Sequence, residues 1–278
     1  MGSEESLARH YAHGSLEQAI LAALQASGKR LDRITPADLA PVDEFHLGGR
    51  QATAEFAAEL PIEAGMQVLD VGSGLGGPSR YLAQERGCRV TGIDLTGEYV
   101  RAARTLARLV GLEERVAYVQ GSALAMPFES GSFDAAWMLH VGMNVGDKPR
   151  LFAEARRVLR RGGFFGIFDV MGESRPEELA FPLPWASDPE ASFVAGVETY
   201  REQLQSAGFS VERQRCRREF AIEFLRRARE RTAGSEGGQP PLGIQIVMGP
   251  NAPLKLANLL RLMERGLLAP VELLARAG

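Results

Sequence analysis

From residue 67 onward the chain alternates short apolar runs with amphipathic stretches, and a glycine-rich loop joins the first run to the first stretch. Residues 67–71 read as a strand and 78–85 as a helix. Further strands are expected at 89–94, 116–120, 133–139 and 163–170. Between them, Val100, Ala103, Leu106 and Val110 form one stripe of a helix over 98–110, which Gly111 ends. Asp147 is placed to cap a helix carrying Leu151, Phe152, Ala155, Val158 and Leu159. The run at 163–170 is almost wholly apolar, as a strand buried on both faces should be. Such alternation predicts an α/β fold built on a doubly wound, mainly parallel sheet of the Rossmann type.

The flanks add to this unit. Leu16, Ile20 and Leu24 have helical spacing within 14–27, Pro36 and Pro41 mark a bend, and 50–60 reads as a second helix before Pro61. These make a helical N-terminal cap over 1–60, leaving 61–278 as the main unit. Residues 172–193 are rich in proline and hold Phe181, Trp185 and Phe193, the composition of a lid. A second lid segment is expected over 233–263, where a glycine-rich linker (233–243) precedes a helix (251–263). The tail LLAPVELLARA is left open between strand and helix, because Pro270 argues against a central strand.

A chain of 278 residues that is 45% hydrophobic and 24% charged can bury a full core without staples. Lys and Arg number 32 against 35 acidic residues, so the basic excess of a nucleic-acid binder is missing. The arginine runs at 213–218 and 226–231 are broken by Glu219, Glu223 and Glu230 and read as a solvated face. Apolar runs fall short of the ~18 residues of a membrane span, and the start, MGSEESLARHYAHG, has no signal-peptide region. Two cysteines, Cys88 and Cys216, suggest a reducing, cytoplasmic setting, and no metal-ligand spacing is visible.

The loop itself carries the chemistry. In VLDVGSGLGG, Gly72, Gly74 and Gly77 satisfy GxGxxG, a weak signal alone. Asp70 would repel a pyrophosphate and attract an ammonium group. Asp94 ends the second strand, where a carboxylate accepts both hydroxyls of an adenosine ribose. A nucleoside joined to an amino acid, as in S-adenosylmethionine, suits both acids better than a dinucleotide does, which disfavours an NAD-dependent oxidoreductase.

Taken in order, VLDVGSGLGGPSRYLA, GIDLT, GSALAMPFESGSFDAAW and RVLRRGGFFGIFDV resemble the motifs of class I S-adenosylmethionine-dependent methyltransferases over roughly 60–210. DEFHLGGRQAT, HVGMN and PWASDPEASF are most similar to the sarcosine/dimethylglycine N-methyltransferases and their bacterial relatives. The resemblance implies an S-adenosylmethionine site made by Asp70, Gly72, Gly74, Gly76, Asp94, Leu95, Ser122, Ala123 and Leu139. Ser122 stands where many members carry Asp. It implies methyl transfer to a small-molecule acceptor, with an amine nitrogen as first expectation and C- or O-methylation of a natural-product or isoprenoid substrate as the alternative. A non-methylating cyclase using the same cavity is the reading from another class.

Methyl transfer needs alignment in a dry pocket more than it needs acid–base groups. His140, Asp169 and Tyr11 are the catalytic candidates, and His46, Asn144 and Trp185 the acceptor-binding ones. Each has a plainer alternative: His140 as a main-chain anchor, Asp169 as a turn former, Asn144 as a loop stabiliser, Trp185 as a lid anchor, Tyr11 and His46 as apolar cap residues. Residues 8–50, 172–193 and the segment after 240 are expected to roof a closable cavity. The partner is expected to be a small molecule, not a nucleic acid or membrane, and a homodimer is left open.

Overall fold

The computed structural model describes residues 4, 7, 8, 11, 14–172, 178–233 and 242–278; the rest of the expected cap, lid and linker lies outside the described residues. Seven strands form one sheet: β1 Gln67–Val71, β2 Arg89–Asp94, β3 Val116–Gln120, β4 Phe133–Leu139, β5 Leu159–Met171, β6 Phe209–Cys216 and β7 Ala269–Ala277. Their order is β3-β2-β1-β4-β5-β7-β6. Strands β3 to β5 pair in parallel, and β7 runs antiparallel between β5 and β6. The doubly wound sheet is therefore as the alternation predicts.

The tail departs from expectation, because it enters the sheet interior despite Pro270. The missing N–H falls at the second residue of β7, opposite Val170, one place in from the first-residue position that strand prolines favour. The Pro270 carbonyl still accepts the Arg217 N–H at 2.8 Å.

Ten helices surround the sheet among the described residues: α1 Leu16–Ala26, α2 Pro36–Asp43, α3 Gly49–Glu59, α4 Gly77–Glu85, α5 Gly97–Leu109, α6 Lys148–Val158, α7 Val197–Ser206, α8 Arg218–Ala233, α9 Gln245–Met248 and α10 Ala252–Glu264. Where a bend is expected from two prolines, α2 is helical. Pro36 occupies a first-turn position whose N–H would be unpaired anyway, and Thr35 with Asp38 forms a capping box around it. Asp147 caps α6 as predicted, accepting the Arg150 N–H at 3.0 Å.

One sheet face packs on α6 and α7 through Leu151, Phe152, Phe165 and Tyr200. The other packs on α3 to α5 through Phe56, Leu82, Val100 and Trp137, whose indole stacks on Phe56. Trp137 is thus a core residue. Two smaller apolar clusters complete the roof at the carboxyl edge of the parallel strands. One joins α1 and α2 to α5; the other joins Trp185 to α8 and α10. Glu98 of α5 fixes the cap by accepting the main-chain N–H groups of Gly14 and Leu16 at 3.0 and 2.8 Å.

Candidate active site

Strand order reverses between β1 and β4, and ligands of open α/β sheets bind in the crevice outside such a switch point. The loop after β1 turns there on the N–H groups of Gly72 and Ser73, both bonded to the Ile93 carbonyl. Gly72 has φ +71°, and a side chain at this position would overlap Val141. Only glycine lets the loop pass so close to the turn after β4.

Asp94 is held by two main-chain donors, Gly74 N–H on Oδ2 and Thr96 N–H on Oδ1, each at 2.8 Å. Burial raises its pKa while these bonds lower it. Each oxygen keeps a second acceptor position, which suits a pair of adjacent hydroxyls. Asp70 is buried and accepts the Ser79 hydroxyl at 2.5 Å. Burial pushes its pKa up to about 7, against the effect of that bond. An ammonium group placed beside it would favour the ionised form. The two carboxylates therefore fit the ribose and amino ends of S-adenosylmethionine.

Around these residues opens a cavity of about 1280 Å³. Asp70, Gly72, Gly74, Asp94, Leu95, Ala123 and Leu139 line it, and so do Tyr11, His46, His140, Asn144 and Trp185. Its outer walls come from 37–50, from Pro184, Trp185 and Phe193, and from 242–260, so the three expected roof segments do meet.

Three expected site residues do not line the cavity. Gly76 caps α4, and its carbonyl accepts the Tyr118 hydroxyl at 3.1 Å, with no room for a side chain against that ring. The Ser122 hydroxyl donates to Glu4 and accepts the Leu124 N–H at 3.0 Å, so Gly121, Ala123 and Leu124 face the cavity instead. Asp169 is fully buried under the turn after β4, accepting the Tyr200 hydroxyl at 2.7 Å and the Val170 N–H at 2.9 Å. Burial raises its pKa to about 6, against the Tyr200 bond. It holds the turn at Gly142, where an added side chain would strike both Asp169 and Tyr200.

His140 lines the cavity with both ring nitrogens facing main-chain groups. Its Nδ1 lies 3.2 Å from the Phe168 carbonyl, which can only accept, so the ring proton sits there. Nε2 then accepts the Leu47 N–H at 3.4 Å. Burial drives the imidazole pKa well below its ordinary value, and φ +55° aims the residue into this position. The Tyr11 hydroxyl donates to Asn144 Oδ1 at 3.3 Å, and burial raises the phenol pKa. The Trp185 indole donates to Ser192 at 3.0 Å.

Sequence reasoning missed a polar cluster in the cap. The Thr53 hydroxyl donates to Glu44 Oε2 at 2.6 Å and lies 3.0 Å from His46 Nε2. Burial raises the pKa of Glu44 and lowers that of His46 to about 4. Next to it, Asp43 and Arg80 form a buried ion pair at 2.6 Å that fastens the end of α2 to α4. The only sequence signal was their place in or near DEFHLGGRQAT. Arg50 of the same segment pairs with Glu85 at 3.5 Å and lies over the Tyr81 ring. Among the described residues no acidic, His or Cys cluster could hold a metal ion, and no helix is long and apolar enough to cross a membrane.

Residues 69–167 match the model of a methyltransferase domain. Methyltransferase GfsG of Streptomyces halstedii is 32% identical over 63% of this chain and 63% of its own length, so the match spans under two thirds of that relative. In three dimensions, geranyl diphosphate C-methyltransferase from Streptomyces coelicolor A3(2) superposes at TM-score 0.69 with 19% identity, over 100% of this chain and 98% of that one. A protein from Galdieria sulphuraria described as a sarcosine dimethylglycine methyltransferase superposes at 0.67 with 21% identity, over 81% of this chain and 84% of that one. Over residues 69–167 the chain thus matches a methyltransferase domain, and its doubly wound sheet is the fold of the methyltransferases on which it superposes.

Proposed function

We propose that the protein binds S-adenosylmethionine at the β1–β4 crevice and methylates a large, mainly apolar small molecule at oxygen or carbon. The cavity carries this reading. At about 1280 Å³ it exceeds the roughly 300–1,000 Å³ of an ordinary single-ligand pocket, so cofactor and acceptor fit together. Beyond the acids its wall is mainly apolar, with Phe224, Leu225, Met248, Leu256, Leu259 and Leu260.

An amino-acid acceptor such as dimethylglycine fits less well. Its carboxylate would need a buried cation. Among the described cavity-lining residues the cations are Arg50, engaged by Glu85, and Arg229 and Arg231, both exposed. In this reading a carboxylate-bearing amine therefore ranks behind the apolar alternative.

Bound S-adenosylmethionine would supply an electrophilic sulfonium methyl. The chain's own part is to hold and shield. Asp94 would take the ribose hydroxyls, Asp70 the amino group and the main chain at 121–124 the adenine edge. Tyr11, Trp185 and Phe193 would exclude water around the reacting atoms. Calorimetric titration tests the first step: S-adenosylmethionine and S-adenosylhomocysteine should bind in the range of about 1 μM to 1 mM usual for enzyme substrates. Binding of NAD with neither of those would overturn the assignment. Binding without methyl transfer to any acceptor would favour the cyclase reading.

A further inference from the structure

We infer that His46, Thr53 and Glu44 form a relay that takes up the proton released when an apolar alcohol or enol is methylated; the inference rests on the methyl transfer proposed above. Glu44 and His46 both line the cavity, in a stretch of wall otherwise made by Phe45, Leu47 and Gly48. Their side chains are almost entirely buried, at 1% and 2% exposure. A buried carboxyl is usually satisfied at both oxygens, but Glu44 Oε1 has no hydrogen-bond partner among the described residues. A Gln here would serve Thr53 as well, so the acid supplies something beyond that bond.

Hydrogen-bond direction fixes the state of the ring. Thr53 has one proton and gives it to Glu44 Oε2 at 2.6 Å. Once Glu44 is ionised, the Thr53 oxygen is left to accept from His46 Nε2, 3.0 Å away, which puts the ring proton on Nε2. Nδ1 is left with its lone pair. His140 has the opposite arrangement, with its proton on Nδ1 and its lone pair given to the Leu47 N–H, and so cannot serve. In the proposed step the acceptor's O–H proton passes to His46 Nδ1. The oxygen pair forms the new bond to methyl carbon, and the carbon–sulfur pair stays on sulfur. The imidazolium is stabilised through Thr53 by ionised Glu44.

The charged neighbours set when Glu44 is ionised. Asp43 opposes its ionisation, Arg50 and Arg80 favour it, and burial outweighs them, so its pKa is raised. His46 faces His140, at 5.8 Å between ring centroids, and the Phe168 ring. Turnover should then rise with pH above neutrality as Glu44 loses its proton.

The first test is the histidine ¹⁵N NMR spectrum of the intact protein saturated with S-adenosylhomocysteine. At a pH above the Glu44 pKa of about 8, His46 should be protonated on Nε2 and free on Nδ1; a proton on Nδ1 there overturns the relay. The second is transfer of labelled methyl to farnesol and geraniol as probes across pH. E44Q should slow transfer roughly 10²-fold, the scale of a lost general base, and abolish the rise above neutrality. T53S should restore what T53V loses. S-adenosylmethionine affinity should stay within twofold in all three variants. E44Q with an unchanged rate and pH profile overturns the relay. Loss of S-adenosylmethionine binding by the unaltered protein would instead overturn the function on which it rests.

Discussion

The Asp94 carboxylate accepts the Gly74 N–H at 2.8 Å, so the acid ending β2 braces the glycine loop that follows β1. The contact joins the two features that most constrain the ligand. An acid at this point holds the loop open and keeps spare acceptor positions toward the cavity.

Asp94→Ala should weaken S-adenosylmethionine binding by roughly 1.5–3 kcal/mol, the value of hydrogen bonds to a charged group. Ser122→Ala should change it by less than ~0.5 kcal/mol, because that hydroxyl is engaged with Glu4 and Leu124. Calorimetry on both variants checks the assignment, and equal losses would reverse it.

Gly72 and Gly74 both have positive φ, +71° and +54°, yet they should fail differently. Alanine at 72 would overlap Val141, so Gly72→Ala should lower the melting temperature sharply even without ligand. At 74 nothing lies within 4 Å, so Gly74→Ala should cost only the ~1–2 kcal/mol of a left-handed alanine and show chiefly as weaker cofactor binding. Thermal melts with and without S-adenosylhomocysteine separate the two.

Tyr200→Phe removes the 2.7 Å bond to buried Asp169. It should destabilise the fold by about 1–3 kcal/mol, or a few degrees of Tm, with cofactor affinity within twofold. A selective loss of turnover at unchanged Tm would restore Asp169 to the catalytic group.

The Asp169 carboxyl also sets a pH signature. Its folded pKa of about 6 exceeds its ordinary 3.8, mainly through burial. Between these values the folded state holds a proton that the unfolded state has lost. Its contribution to stability is full below pH 3.8 and is lost as pH rises through 6. The stability difference between the unaltered protein and Asp169→Asn should therefore fall across this window and level off above it, as followed by denaturant melts. A flat difference would contradict the burial argument.

The sheet was legible in the sequence because period and loop chemistry act locally: Asp147 caps, Gly111 stops, and the buried run of β5 is apolar on both faces. The parts misread depend on tertiary context. Pro36 looks like a breaker until its place in the first helical turn is known, and Pro270 until the start of β7 is placed. Asp169 and Ser122 sit at the right sequence positions, but their side chains are drawn off the cavity by Tyr200 and Glu4. Thr53 joins Glu44 across a helix start, a contact no spacing rule reveals.

The central claim is methyl transfer to an apolar acceptor, and competition for a labelled methyl tests it most directly. Incubation with methyl-labelled S-adenosylmethionine and equimolar geraniol, farnesol, sarcosine and dimethylglycine, followed by organic extraction, should place the label in the organic phase. Label retained on sarcosine or dimethylglycine in the aqueous phase would contradict the account.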